Sequence, residues 1–572
     1  MPEETNRKKI TPHQLDPAVY KELEHIVGKD WISQDRAVLE TYSKLSLDAE
    51  GFLKKFHKDA SSLPACVVIP ADTGEVQAIV HVAGRYKIPF IPFTNGQAFS
   101  APTTDAATIC IHLSRMNRVL CIDPDNMTAT LEPYADYGQL LAEAAKVGLW
   151  NGGTPLATTL CKLSSQAAFA GIWQTSKKYG LLDRNIVSFT VVLPTGEILN
   201  TGSRTVPEAE DFWDWGPGPD LMGLVRSSAS TTGIITAITV KLHAWTGGEV
   251  MPEAPAGRPF IPRYDEAAYD TVPAPENYRL CWMEFPDYDA EINAYRDIAH
   301  AGIGIGLNAS GVYSAYYCSQ TQELTEKRSR ENFFPAFNLY VIIAGTTSPA
   351  QIDYEESVLR KIAAKHGGKF LGPDYKPEVL EALAPWNLDC IRNVCGYRMN
   401  RRMYAGGSLP SGPPEVAKYH SAVWRESLDK FGETHITDRG GADNTTFVYG
   451  IEPAGRYTFS ETDIYPDPAD PSSLEKCLAI TMYSAVRNAA ERKCAPFAFG
   501  GPVEPLTSFF PEMGPNVHLL IRKLRRVFDP ESICSPGRQV FTGEELKAFL
   551  EKKGEGINRL RGQFNLKPVT KE

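Results

Sequence analysis

The stretch Ile88 to Ser100, IPFIPFTNGQAFS, is where the residue types first suggest chemistry. An apolar, strand-like run ends there in Thr94, Asn95, Gly96, Gln97, Ala98, Phe99 and Ser100, a loop of mostly small and polar side chains. Such side chains leave backbone N–H groups open, and several N–H groups converging in one loop make a site for phosphate oxygens. An ordinary turn uses the same residue types, so the loop points to a nucleotide only if neighbouring segments agree. Other cofactor chemistries are poorly served. The 11 cysteines are scattered, no C-x-x-C occurs, and the closest pair is Cys390 and Cys395. That spacing suits neither zinc nor an iron–sulfur cluster, so reduced structural thiols and no metal centre are expected. Gly302, Gly304 and Gly306 in AGIGIGL fit the dinucleotide fingerprint G-x-G-x-x-G poorly, which disfavours a nicotinamide cofactor.

The elements that must hold this loop follow from hydrophobic periodicity. Asp72 and Thr73 offer an N-cap before Val76, Ile79, Val80 and Ala83, an apolar stripe at helical spacing. Pro89 and Pro92 restrict the following strand to a short or edge position, because proline cannot donate to a ladder. Further strands are expected over Ala107–Leu113 and Thr128–Pro133, then a helix through Leu140, Leu141 and Ala144. Val187–Leu199 reads as two strands about a Pro-Thr-Gly turn, and another strand ends near Leu242. A segment rich in proline, glycine and acid follows and reads as a domain crossing. Beyond Tyr278 strands alternate with helices, the rhythm of ferredoxin-like units on an antiparallel sheet. The expected fold class is α+β: a two-part domain of small α+β subdomains, and a cap with a large antiparallel sheet flanked by helices. The expected boundaries are 1–245, a cap at 246–500, and a tail at 501–572 that returns to the first domain.

Size and charge bound the function. A chain of 572 residues, 43% apolar, exceeds what one hydrophobic core accommodates. The net charge of -10 leaves no basic stripe for nucleic acid, and no apolar run is long enough to span a bilayer. The first residues, MPEETNRKKITPHQ, carry no apolar signal region, so the cytoplasm is the expected compartment.

Six segments in order carry a resemblance: IPFTNGQAFS, LSRMNRVLCIDPDNMTATLEP, SSQAAFAGIWQTSKKYG, VVLPTGEILNTG, SSASTTGIITAITVKL and FDPESICSPGR. Together they resemble the vanillyl-alcohol-oxidase/p-cresol-methylhydroxylase superfamily of FAD enzymes, to which glycolate-oxidase and D-lactate-dehydrogenase flavoprotein subunits also belong. The resemblance implies that Thr94 to Ser100 surround the FAD pyrophosphate and that Glu132 and Pro133 match a Glu-Pro at a strand end. Gly152, Gly153 and Thr154 would approach the flavin ring. Ser164, Ser165, Ala168 and Gly171 would form a second small-residue wall, with Ser-Ser where Gly-Gly is usual. Ser230, Gly233 and Ile235 would contact ribityl and adenine, and Arg538 would stand near the flavin, where a cation stabilises negative charge on the reduced ring. No histidine lies between His81 and His112, so the family's histidyl linkage on this loop is excluded and non-covalent FAD is expected.

The departures bear on the substrate. Ala101 stands where the phenol-oxidising branch has tyrosine, Phe169 where it has a carboxylate, and APFAFGG (495–501) where it has a Tyr-Arg pair. These three argue against a substrate bound as phenolate. Candidate catalytic residues are Arg402 and Tyr404 in YRMNRRMYAGG, where an arginine fork can clamp a carboxylate, and His435 as base or anchor, with His420 as another histidine to consider. The expected activity is an FAD-dependent dehydrogenase or oxidase. It takes hydride from a small organic substrate and passes electrons to oxygen, a cytochrome, an electron-transfer flavoprotein or an iron–sulfur partner, in a homo-oligomer or redox-complex subunit. A non-catalytic flavin-binding subunit is the alternative from another class. Non-redox use of FAD, as in alkylglycerone-phosphate synthase, is disfavoured because that enzyme's histidine run is not found.

Overall fold

The computed structural model describes residues 14–42, 63–94, 107–153, most of 162–245, most of 277–383, most of 407–463 apart from 433–446, and 517–536, with scattered positions at 472–496 and 551–568. A four-stranded sheet comes first: β1 (Ile32–Ser33), β2 (Cys66–Val68), β3 (Phe90–Phe93) and β4 (Ile109–His112), in the order β1-β2-β4-β3. Both β2 and β3 run parallel to β4. Around it lie α1 (Pro17–Val27), α2 (Arg36–Tyr42) and α3 (Thr73–Tyr86). The Asp72 carboxylate accepts the Glu75 amide at 2.9 Å, capping α3 as the spacing predicts. Val76, Ile79, Val80 and Ala83 then pack on Cys66, Val68, Ile109 and Ile111 in one buried cluster.

The proline argument holds for β3, the outermost strand of this sheet. Its outer side is taken up by a segment more than four hundred residues later in the chain. Phe90 bridges Cys534 in parallel; its amide donates to the Ile533 carbonyl at 2.8 Å, and its carbonyl accepts the Ser535 amide at 2.9 Å. That tail is held in shape by Asp529, 1% exposed, whose oxygens accept the amides of Ile533 at 2.9 Å and Cys534 at 3.0 Å. Arg525, on the helix Val517–Phe528, lies 3.4 Å from Asp529 and donates to the Cys534 carbonyl at 2.7 Å. Burial pushes the Asp529 carboxyl up, and Arg525 and the two amides pull it back.

A second, antiparallel sheet comprises β5 (Val119–Asp123), β6 (Thr128–Leu131), β7 (Ile186–Val192), β8 (Ile198–Asn200) and β9 (Ile234–Lys241), in the order β5-β6-β9-β7-β8. The hairpin β7–β8 turns at Pro-Thr-Gly, as expected. Strand β5 was not anticipated from sequence; its apolar run Val119–Ile122 is short and lies partly exposed at the edge of the sheet. A capping box between Asp136 and Gln139 opens α4 (Tyr137–Ala145), which packs on this sheet together with α5 (Leu163–Ala168). The short α6 (Ser176–Tyr179) follows.

The middle of the chain forms a large antiparallel sheet from β10 (Tyr278–Glu284), β11 (Gly306–Ala309), β12 (Asn338–Ala344), β13 (Lys369–Phe370), β14 (Pro410–Gly412), β15 (Phe447–Gly450), β16 (Thr458–Asp463) and β17 (Ala495–Pro496). Among the described residues the order is β13-β10-β12-β11-β15-β16-β14-β17, with Gly407–Ser408 pairing β16 off this path. Helices α7 (Tyr288–His300) and α8 (Pro349–Lys365) each follow a strand and lead into another, and both pack on one face. The opposite face, with Trp282, Tyr340, Ile342 and Phe459, packs on Leu141 and Trp150 of the N-terminal region. Polar contacts tie the two regions. Asn308 Nδ2 donates to the Gln174 carbonyl at 2.9 Å, and buried Lys177 Nζ donates to the Gly304 carbonyl at 3.1 Å. Burial lowers the Lys177 amine to about 8. No helix of the described residues is long and apolar enough to cross a membrane.

His420 lies on α9 (Val416–Phe431), fully buried against β16, with Nδ1 2.9 Å from the Ser460 hydroxyl and Nε2 3.1 Å from that of Thr462. It is a core histidine, pushed down to about 3 by burial. His112 and His243 are likewise lowered to about 4. All three favour the neutral ring in the fold, so the unfolded chain binds more protons as pH falls below about 6.5, the ordinary histidine value. Their contribution is therefore complete above that pH and is lost on acidification toward 4. Thermal denaturation followed from pH 7.5 to 4.5 is expected to show a falling midpoint, and His420→Gln is expected to flatten that slope. Asp529→Ala strips two buried amides and Arg525 of their acceptor and is expected to cost about 3–5 kcal/mol in urea denaturation, with Asp529→Asn costing less.

Candidate active site

Four segments distant in sequence meet at the end of β3. Thr94, the residue after that strand, places its hydroxyl 2.6 Å from the Ser165 hydroxyl on α5. The carbonyls of Ala167 and Ala168 accept the amides of Ser227 and Ala229, both at 3.1 Å. This draws the turn before β9 against the end of α5. In that turn Ser227, Ala229 and Ser230 have φ of 53°, 52° and 59°, a left-handed stretch uncommon for residues with a Cβ. Cys534 Sγ lies 3.2 Å from the Ser230 carbonyl, which brings in the tail. Gly233 enters β9 at φ 146°, and a Cβ there would meet the Val192 carbonyl oxygen at 2.6 Å, so only glycine fits. Ile235 is a core residue paired with Val191.

The donor set at this junction is made of hydroxyls and backbone groups; Arg525, which reaches the tail, is engaged by Asp529 and the Cys534 carbonyl. Ser535 Oγ is buried and makes no hydrogen bond among the described residues. A buried hydroxyl without a partner among the described residues, here beside Phe90 at the start of β3, suits a polar ligand. Hydroxyl and amide donors are the groups that phosphate and ribityl oxygens require, so the residues present fit FAD.

A second wall is built from Asn151, Gly152 and Gly153. Gly152 has φ 86°, and a Cβ there would meet the Tyr179 ring at 2.8 Å. The Thr175 hydroxyl donates to the Gly152 carbonyl at 2.6 Å, and Asn151 Nδ2 donates to the Gly153 carbonyl, leaving Asn151 Oδ1 buried without a described partner. Pro133 and Ser164 brace this region from behind: the Ser164 hydroxyl donates to the Pro133 carbonyl at 2.8 Å. Glu132 gives both oxygens to Arg118, the closer contact being 2.7 Å, and serves the strand end. Gly171 accepts the Leu182 amide at 3.0 Å.

The structure thus brings together Thr94, Ser165, Ala168 and Ser230, with Gly233 at the base of the same turn. Asn95, Gly96, Gln97, Ala98, Phe99, Ser100, Thr154, Arg538, Arg402, Tyr404 and His435 lie outside the described residues, as do Ala101 and Phe169. Among the described residues no group of three or more His, Cys, Asp or Glu side chains is placed to hold a metal. Sequence reasoning missed Ser535 and Asp529, although both sit inside FDPESICSPGR. It also missed His112, a polar residue closing the apolar run ATICIHL at the base of the loop.

Comparison with known proteins agrees with this geometry. Residues 64–202 match the family described as FAD binding domain. The chain is 22% identical to the 4-cresol dehydrogenase (hydroxylating) flavoprotein subunit of Pseudomonas putida, over 93% of this chain and 96% of that protein. It is 30% identical to the mitochondrial D-lactate dehydrogenase (cytochrome) of Arabidopsis thaliana, over 38% of this chain and 37% of that protein, so the chain spans little more than a third of this relative. The fold is similar to p-cresol methylhydroxylase with substrate bound, at TM-score 0.69 and 17% identity, covering 92% of this chain and 96% of that one. It is equally similar to 4-ethylphenol oxidase from Gulosibacter chungangensis in its isoeugenol complex, at TM-score 0.69 and 19% identity, covering 94% of this chain and 100% of that one. The matched FAD binding domain, the full-length relative and the shared fold agree with the meeting of segments at Thr94: the chain carries an FAD binding domain and is similar, in sequence along its length and in fold, to FAD-dependent flavoproteins of the p-cresol methylhydroxylase type.

Proposed function

We propose that this chain is an FAD-dependent dehydrogenase or oxidase acting on a small, non-phenolic substrate whose reacting carbon bears a hydroxyl group. The meeting of Thr94, Ser165 and Ser230, with the Ser535 hydroxyl that has no partner among the described residues, carries the cofactor half of the reading. Bound FAD supplies a two-electron acceptor for hydride. Around it, Thr94, Ser165 and Ser535 hold the polar chain, with the loop Asn95–Ser100 on the pyrophosphate. Gly152 and Gly153 let backbone approach the ring, and Arg538 neutralises negative charge there.

The packed face of the large sheet supports a substrate wall. Trp282, Tyr340, Asn308, Phe459 and Ser411 share one face across the ladder, through the pairs Trp282–Tyr340, Tyr340–Asn308 and Ser411–Phe459, with Tyr449 joining Asn308 to Phe459. Trp282, Tyr340 and Phe459 exclude water. Asn308 Oδ1 and Ser411 Oγ are buried without a described partner and offer polar contacts on an otherwise apolar surface. Arg402 and Tyr404, shortly before β14, would anchor a carboxylate or hydroxyl, and His435 would take the hydroxyl proton as the hydride leaves. Ala101, Phe169 and 495–501 lack the groups the resemblance expects for phenolate, which favours a 2-hydroxy acid or alcohol over an alkylphenol.

A second reading has support in the name of the full-length relative, a flavoprotein subunit: this chain would hold FAD within a larger redox complex, with a separate protein as electron acceptor. Anaerobic mixing of the FAD-loaded protein with 2-hydroxy acids, alcohols and alkylphenols, followed by visible absorbance, separates these readings. Bleaching by a 2-hydroxy acid or alcohol is expected, slowed about 10²–10⁴-fold in His435→Asn, the usual range for a lost general base. Bleaching by an alkylphenol alone overturns the substrate assignment. A flavin that dithionite reduces but no substrate does supports the subunit reading.

A further inference from the structure

His112 ends β4 directly opposite Phe93, the last residue of β3, and the Leu113 amide donates to the Phe93 carbonyl at 3.0 Å. Thr94, the first residue of the proposed pyrophosphate loop, therefore emerges beside the imidazole. The ring is boxed edge-on by aromatic side chains from three elements. Tyr42 of α2 is at 5.4 Å between centroids, Phe93 at 5.2 Å and Tyr134 at 5.5 Å, with Tyr42 and Phe93 4.9 Å from each other. The Tyr42 hydroxyl lies 2.8 Å from His112 Nδ1. Nε2 is buried with no hydrogen-bond partner among the described residues, and the Thr94 backbone faces the ring.

Burial keeps the imidazole neutral, so one nitrogen carries hydrogen and the other accepts. Of the two tautomers, the one in which Nδ1 accepts from the Tyr42 O–H puts the hydrogen on Nε2, toward the Thr94 backbone, and this is the tautomer the proposal uses. The remaining titratable neighbours keep this arrangement neutral. Tyr42 is itself pushed up to about 12, with Cys110 beside it, and Tyr134 carries Lys162 4.6 Å from its ring centre, itself paired with Asp136 at 3.0 Å. Among the described residues no carboxylate pairs with the imidazole.

We propose that His112 is a positioning residue for the cofactor loop: it links Tyr42 to the Thr94 carbonyl, while the Thr94 hydroxyl meets Ser165, so the chain Tyr42–His112–Thr94–Ser165 sets where the loop begins. This rests on the reading of Thr94–Ser100 as the FAD pyrophosphate loop. A free loop pays ordering entropy when FAD binds, and a fixed first residue removes part of that cost. His112 does not touch the reacting atoms; it acts through Thr94.

The test is FAD affinity, measured by quenching of flavin fluorescence on titrating the FAD-free protein, beside the urea midpoint of each variant. His112→Phe keeps an aromatic ring in the box but loses the N–H, and is expected to weaken FAD binding about tenfold, the upper range for one lost hydrogen bond. His112→Gln restores an N–H at similar reach and is expected to bind within about threefold of the natural chain. Tyr42→Phe is expected to weaken binding in the natural background and to add nothing to His112→Phe, because both cut the same link. The proposal is overturned if His112→Phe binds FAD as the natural chain does. It is equally overturned if His112→Gln and His112→Phe lose affinity alike and in step with their urea midpoints, which marks mere packing. A natural chain that binds no FAD sinks the cofactor reading itself, an outcome distinct from both.

Discussion

The docking of residues 533–535 along the outer side of β3 is the contact on which the proposed cofactor site depends. Strand β3 is short, proline-bearing and outermost in its own sheet, so its backbone needs partners from elsewhere. The tail supplies them through two backbone hydrogen bonds at Phe90, and the tail's shape is dictated by one buried carboxylate, Asp529. From there the influence spreads outward. Cys534 reaches the Ser230 carbonyl, the Ser227–Ser230 turn leans on α5, and α5 presents Ser165 to Thr94. Each of these side chains contributes little alone; together they leave one arrangement in which four chain segments share a corner.

The large sheet meets that corner through a different kind of contact. Its apolar face buries Trp282, Tyr340 and Phe459 against Trp150 and Leu141, a non-directional attraction that fixes proximity but not register. Register comes from polar groups. Asn308 and Lys177 reach across the boundary to named carbonyls, and in a low-dielectric interface a misplaced ammonium or amide costs more than a misplaced methyl. The pairing of a greasy surface with a few directional bonds is what holds the large sheet in a set register against the N-terminal region.

Much of this was legible in the sequence where local rules act alone. Asp72 as a cap, the stripe Val76–Ile79–Val80–Ala83, the edge position forced by Pro89 and Pro92, and the β7–β8 hairpin all follow from short-range geometry. Strand β5 was missed although Val119 to Ile122 are all apolar, because so short a run does not by itself specify a strand and this one is set by pairing with β6. The roles of Asp529, Ser535 and His112 were hidden for a different reason. Each is an ordinary polar residue whose meaning comes from a neighbour remote in the chain: Phe90 for the tail, Tyr42 for the histidine. His420 shows the converse, since a histidine that invites a catalytic reading is satisfied by two hydroxyls in the core.

The return of the tail also has a consequence for how the protein is made. Strand β3 emerges early in synthesis, whereas Cys534 and Ser535, which pair along it, emerge after the intervening sheet has been made. The N-terminal region therefore cannot close its corner while it is being translated, and the outer side of β3 stays bare through most of elongation. On the proposed reading, cofactor capture is a late event by topology, and a chain cut short before Asp529 would present an open strand edge to its neighbours.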